Sequence, residues 1–316
     1  MLADPRPTVP STMTSEDRQR ESPLALYGAI AANVAIAVTK FAVAAHTGSS
    51  AMLSEAVHST VDTGNGLLML WGVHRSHRPP NAVHPFGHGR EIYFWSLIVA
   101  VLIFGLGGGV SFYEGVRHLR HPQPAQQPFW NYLVLGAAFL FEGSSFIIAW
   151  RQFRKQGSER PMLEALHLSK DPTTYTVVAE DGAALAGIAI AAAGIALAEA
   201  LGRPEIDAVA SMLIGLLLAG VAVLLVREAR GLLVGEGVQP QTAEVIVALA
   251  REHEEIVETG PVLSMYTGPR EALMVLELRF APEVPAARVA EVSDGLRAAI
   301  QERYPVLTRV HLGVMA

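Results

Sequence analysis

His58 and Asp62 sit in the stretch S-E-A-V-H-S-T-V-D-T-G-N-G, residues 54–66, inside an apolar segment of about residues 51–73. Residues four apart on a helix share a face one turn apart, so this spacing points an imidazole and a carboxylate the same way. Ionisable groups at membrane depth are costly and face a bundle interior or a water-filled path, which makes such a pair a candidate functional site. One nitrogen and one carboxylate oxygen on a face are half of a tetrahedral site for a borderline divalent cation such as Zn2+. The structural alternative is a histidine and an aspartate that bond each other or a neighbouring helix.

A second acidic feature lies in T-T-Y-T-V-V-A-E-D-G-A-A-L-A-G, residues 173–187, which carries Glu180 and Asp181 in another apolar block. Adjacent helical residues point about 100° apart, so at most one acid aims squarely at His58 and Asp62. Asp181 is taken as that one, with Glu180 either completing the site or bonding a neighbouring helix. Glu142, in F-E-G-S-S-F, fits a ligand, a proton carrier or a packing residue. Asn33 and Lys40 are equally open, and the stem of Lys40 is long enough to snorkel. His74, His77, His84 and His88 crowd one polar connection, as a second metal site or as solvated surface residues.

The elements that must position these groups are hydrophobic. Over 316 residues, 51% are hydrophobic and the mean hydropathy is +0.32, with the apolar residues gathered in blocks. That composition predicts a polytopic membrane protein. The absence of cysteine removes disulfides, thiolate metal sites and cysteine nucleophiles, leaving oxygen and imidazole for any metal work. The net charge of -6 is spread out, and nothing in it suggests nucleic acid.

Six blocks, at about residues 24–45, 51–73, 92–115, 129–150, 173–201 and 206–226, are long enough to cross the hydrocarbon core. Arginine and lysine concentrate in the N-terminal segment, the second-to-third and fourth-to-fifth connections and the stretch after block six, so both termini are expected in the cytosol. Residues 1–23 read as a disordered cytosolic tail and 24–230 as a six-helix transport domain. Gly105 and Gly109, at G-x-x-x-G spacing, are expected to let helices approach closely. Residues 231–316 read as helix, strand, strand, helix, strand, a split βαβ pattern. The fold expected is therefore an α-helical polytopic membrane protein of six transmembrane helices with a C-terminal α+β, ferredoxin-like cytosolic domain.

The combination of Asn33, Lys40, G-S-S-A-M-L-S-E-A-V-H-S-T-V-D and H-P-F-G-H-G-R-E resembles the cation diffusion facilitator family of zinc and related metal transporters. The runs S-K-D-P-T-T-Y-T-V-V-A-E-D-x-A-A-L-x-G and G-R-E-x-Y-F-W are similar to the subgroup containing the mitochondrial-type zinc transporter of animals. The resemblance implies a homodimer, joined through transmembrane and cytosolic domains, that exchanges a divalent metal for protons by alternating access. It places His58, Asp62 and Asp181 among the transport ligands. The histidine usual four residues before that aspartate falls on Val177, which leaves Glu180 or water for the fourth position.

The same resemblance implies a shallow zinc site at His84 and His88, with Asn81 where an aspartate can stand, and an interhelical charge lock at the dimer between Arg90 and Asp207. Glu277, Ala290 and Gly313 occupy positions where other members carry ligands in the cytosolic domain. The expected function is a non-enzymatic Zn2+/proton antiporter exporting metal across a bacterial inner or plasma membrane, its partners being the bilayer, a second copy, metal and protons. The alternatives are a Mn2+, Co2+ or Fe2+ transporter of the same fold, or a channel or sensor. An intramembrane hydrolase is disfavoured because no H-E-x-x-H occurs.

Overall fold

A computed structural model describes residues 23–122, 128–155 and 169–315. Most of the expected N-terminal tail, residues 1–23, lies outside the described residues. Six long helices come first: α1 (Pro23–Thr47), α2 (Ser50–Ser76), α3 (Glu91–Arg120), α4 (Pro128–Lys155), α5 (Pro172–Leu201) and α6 (Glu205–Val234). Among the described residues, α3, α4, α5 and α6 are each long and apolar enough to cross a membrane. Their outward faces carry large apolar side chains, including Phe104, Leu140, Ile148, Leu216 and Val223, all more than half exposed. A face of this kind belongs against lipid. The chain is a helical membrane protein.

Polar groups fix the helix ends. The carboxylate of Asp207 in the first turn of α6 accepts from Ser49 Oγ (2.8 Å), Ser50 N (2.7 Å) and Ser50 Oγ (3.0 Å), so one buried side chain caps α2 and ties it to α6. Such a charge at a helix N-terminus satisfies amides that have no partner within the helix. At the other end of α2, Arg75 grips Glu91 of α3 through two bonds of 2.8 and 2.9 Å, closing the α2–α3 connection.

Small residues bring α3 and α6 together, although not those at the G-x-x-x-G spacing. A Cβ on Gly105 would meet nothing, whereas one on Gly108 would lie 3.0 Å from the Gly215 carbonyl oxygen and one on Gly115 2.7 Å from that of Ala208. The physical reason is the π-helical stretch Ile103–Gly109 inside α3. Its wider turn breaks the 3.6-residue period and rotates Gly105 out of the contact.

The C-terminal unit contains α7 (Pro240–Arg251), β1 (Ile256–Thr259), β2 (Leu263–Gly268), β3 (Glu271–Phe280), α8 (Ala286–Arg303) and β4 (Arg309–Val314). β3 is central. β2 runs antiparallel beside its first half, from Leu263↔Val275 to Gly268↔Glu271, and β1 pairs antiparallel with its end at Ile256↔Phe280. β4 runs parallel on the opposite edge, from Leu273↔Arg309 to Leu278↔Val314, with α8 as the crossover. Alternation buries Ala272, Met274, Leu276, Leu278 and Phe280 against Ile246 of α7 and Val292, Leu296 and Ile300 of α8. The four-residue β1 adds a strand to the two expected before α8.

β2 carries the junction between the two units. Met265 contacts Gly235 and the Arg90 guanidinium, the Tyr266 amide donates to the Glu236 carbonyl (3.0 Å), and Lys170 pairs with Glu236 over the Tyr266 ring. Gly89 lies so close to the Thr267–Gly268 backbone that no side chain fits there. Arg90 donates to the carbonyls of Leu232 and Leu233 at the C-terminal end of α6. Asp207 stands at the start of that helix, roughly 40 Å away by helical rise. Within a single chain Arg90 and Asp207 therefore belong to opposite ends of α6, while the lock expected of them is one at the dimer.

Candidate metal site

α2 holds the key pair through ordinary helical geometry. His58 is 2% exposed, and its Nδ1 lies 3.2 Å from Asp62 Oδ1 on the next turn. The two atoms lack the alignment of a hydrogen bond, and neither ring nitrogen of His58 nor Asp62 Oδ1 has a hydrogen-bond partner. Buried polar atoms without partners are rare because each loses its hydration uncompensated. A neutral imidazole carries one N–H and one lone pair, so a nitrogen lone pair of His58 and the oxygen of Asp62 lie on one helix face, the donor types a dication accepts.

α5 faces this pair with its two acids directed apart. Glu180 Oε1 accepts from Asn65 Nδ2 of α2 at 2.7 Å, whereas Asp181 Oδ2 accepts from Ser145 Oγ of α4 at 2.8 Å. The rotation of about 100° between neighbours thus sends Glu180 toward α2 and Asp181 toward α4. A cavity of about 290 Å³ between α1, α2 and α5 is lined by Asn33, Asp62, Thr63, Thr176, Val177 and Glu180, among others. His58 and Asp181 are not in its wall. Among the described residues no three histidine or acidic side chains gather into a ready coordination shell. Asn65 and Ser145, which hold the two acids, carried no sequence signal beyond being polar residues in apolar helices.

Lys40 does not snorkel. It is fully buried, and its Nζ donates to Glu55 Oε2 at 3.2 Å and Ser59 Oγ at 2.7 Å. It lies about two turns before the C-terminal end of α1, and its ammonium turns inward to the acid on α2 instead of outward to an interface.

The α2–α3 connection is shaped by its turn residues. Asn81 Oδ1 accepts from the amides of Val83 (2.9 Å) and His84 (2.8 Å), and the imidazoles of His84 and His88 stand 4.5 Å apart between centroids. Proximity of two rings is compatible with a shared ion. A cavity of about 570 Å³ beside them is lined by His77, His88, Asp171 and Glu271, and also by Arg78, Arg270 and Arg309. Arginines outnumber carboxylates in this lining, which disfavours a dication there. Val73 and Thr173 line both cavities, so the walls of the two spaces meet there.

Comparison with known proteins gives a consistent picture. The family model described as the cation efflux transmembrane domain matches residues 26–234. The chain is 31% identical over 296 residues to metal tolerance protein C4 of Arabidopsis thaliana, covering 93% of this chain and 64% of that protein. It is 33% identical over 248 residues to the mitochondrial proton-coupled zinc antiporter SLC30A9 of Homo sapiens, covering 78% of this chain and 42% of that protein. The cation-efflux pump FieF of Yersinia pestis (strain Pestoides F) is 31% identical over 159 residues, covering 49% of this chain and 50% of that one. The chain thus spans less than two thirds of the length of each.

Proposed function

As the chain belongs to the cation efflux family of transmembrane transporters, not to a family of enzymes, we propose that it exports Zn2+ from the cytosol in exchange for protons. The observation that carries this reading is the His58–Asp62 pair, one turn apart, whose ring nitrogens and Oδ1 are buried without hydrogen-bond partners beside the cavity that Glu180 lines. Similarity to proteins named as zinc antiporters supports the metal and the coupling.

The transported ion is the substrate and binds only when its ligands shed protons, so metal and protons compete for the same lone pairs. In the metal-bound arrangement His58 and Asp62 supply two donors, and Asp181 and Glu180 leave Ser145 and Asn65 to supply the rest. Separate tethers for the two acids suit a site that must assemble and come apart in each cycle. All six helices α1–α6 are proposed to cross the membrane, with residues 231–316 as a ferredoxin-like cytosolic domain. The working unit is a homodimer in an inner or plasma membrane. The concentration of arginine and lysine in alternate connections supports cytosolic termini.

A second cargo class has its own support. The cavity wall offers oxygen from Asn33, Asp62, Thr63 and Glu180 and contains no histidine, a set that suits Mn2+, Fe2+ or Co2+. Purified protein in vesicles with an imposed proton gradient decides between them: zinc uptake should be fastest and should collapse with the gradient. His58→Ala and Asp62→Ala should each abolish uptake without loss of folded protein. Zinc flux at the wild-type rate in either variant overturns the site. Flux independent of the gradient makes the protein a channel.

A further inference from the structure

Lys40 and Glu55 form an ion pair with both side chains fully buried, α1 supplying the ammonium and α2 the carboxylate. Withdrawing two charges from water costs about as much as their attraction returns, so a pair of this kind contributes little net stability. Its geometry points to a different role. Lys40 also bonds Ser59, the residue after His58, so one ammonium grips α2 on both sides of the candidate ligand. The other oxygen of Glu55, Oε1, has no hydrogen-bond partner and is turned toward α5. There it meets Gly187: a Cβ on that residue would lie 2.5 Å from Oε1. Glu55 is therefore held by Lys40 on one side and stopped by bare α5 backbone on the other. The contact lies one turn from His58 on α2 and about two turns from Glu180 and Asp181 on α5.

We infer that Lys40 and Glu55 are positioning residues that set the separation of α2 and α5, and with it the size of the metal site. This rests on the transport reading above. Metal–ligand distances tolerate only about 0.2 Å, so a spacer fixed one turn away governs which ion fits. The carboxylate is the spacer, the lysine fixes it, and the glycine is the surface it bears on.

Gly187→Ala is the direct test. The new methyl needs about 1 Å more room to reach ordinary contact with Glu55; with the carboxylate held by Lys40, the proposal has α5 give way and move from α2. Expected are a half-saturation concentration for zinc raised at least tenfold and a shift in rank order from Zn2+ toward the larger Cd2+, with folded yield unchanged. Adding Glu55→Asp shortens the spacer by one methylene and should restore both values. Lys40→Met with Glu55→Leu removes the tether while leaving no stranded charge, so the fold is retained. It should likewise raise half-saturation and relax the preference for zinc.

The proposal is overturned if Gly187→Ala keeps the wild-type rank order and half-saturation, or if it lowers the maximal rate alone and Glu55→Asp gives no rescue. Should Gly187→Ala yield no folded protein, the Lys40→Met/Glu55→Leu variant decides by the same two values. Asp62→Ala is run alongside. Transport that survives Asp62→Ala sinks the transport site itself, an outcome distinct from a Gly187 series that behaves as wild type while Asp62→Ala is inactive.

Discussion

Ser145→Ala should make the protein bind zinc more tightly. Ser145 Oγ donates to Asp181 Oδ2 at 2.8 Å, and this bond must break before Asp181 turns from α4 to a metal held by α2. A hydrogen bond to a charged group contributes about 1.5–3 kcal/mol. At about 1.4 kcal/mol per decade, its loss from the metal-free state is equivalent to roughly 10- to 150-fold in affinity. Water reaching the half-buried carboxylate would return part of this, so the expected gain is about tenfold. The assay is competition between purified protein in detergent and a chromogenic zinc chelator, which reads affinity without turnover. Transport should move the opposite way at saturating zinc, because a tighter site releases its ion more slowly. Unchanged or weaker affinity would mean that Asp181 stays on Ser145 with metal bound, and would remove it from the ligand set. Asn65→Ala asks the same of Glu180, whose bond to Asn65 is 2.7 Å.

Other substitutions probe neighbouring features. His58→Asp replaces a borderline nitrogen with a hard oxygen and should move the metal preference toward Mn2+ in a competition assay; an unchanged rank order removes His58 from the ion. Asp207→Ala strands the Ser50 amide and takes the acceptor from the Ser49 hydroxyl, while the Ser50 hydroxyl keeps the Asp207 carbonyl, and should cost about 1–3 kcal/mol, read as a lower thermal midpoint. Replacing His84 and His88 together with alanine should raise the half-saturation concentration if they load zinc. With three arginines lining the adjacent cavity, the expected change is below threefold, and a large one would assign them a loading role. Glu255 is held below the usual carboxylate range by its own backbone amide and by Arg288. Its contribution to the C-terminal unit is therefore present above the ordinary carboxylate pKa and fades as pH falls through the lowered value. Glu255→Gln should flatten the acid limb of stability against pH, and an unaltered limb would discount the pair.

The α2 pair was legible because it needs only the local helix period, and the alternation of β3 was legible for the same reason. What escaped depends on how helices rotate about one another. Spacing along α5 says that Glu180 and Asp181 diverge, and only packing says which one meets Asn65 and which Ser145. Lys40 could have reached an interface by stem length alone, and its burial became visible once α1 and α2 were side by side. The G-x-x-x-G reading assumed an unbroken period that the π stretch interrupts. Four-residue β1 is held by β3, and a strand so short has little pattern of its own.

The docking of β2 against the ends of α3 and α6 and the approach to α5 has a thermodynamic consequence. Because Gly89 leaves no gap and Arg90, Met265, Lys170 and Glu236 interlock across the seam, a change in helix tilt there bears directly on the sheet. A molecule at the sheet and an ion among the helices that both favour the same arrangement of this seam change each other's affinity by one and the same factor. Coupling of this kind requires no metal ligand in the C-terminal unit itself.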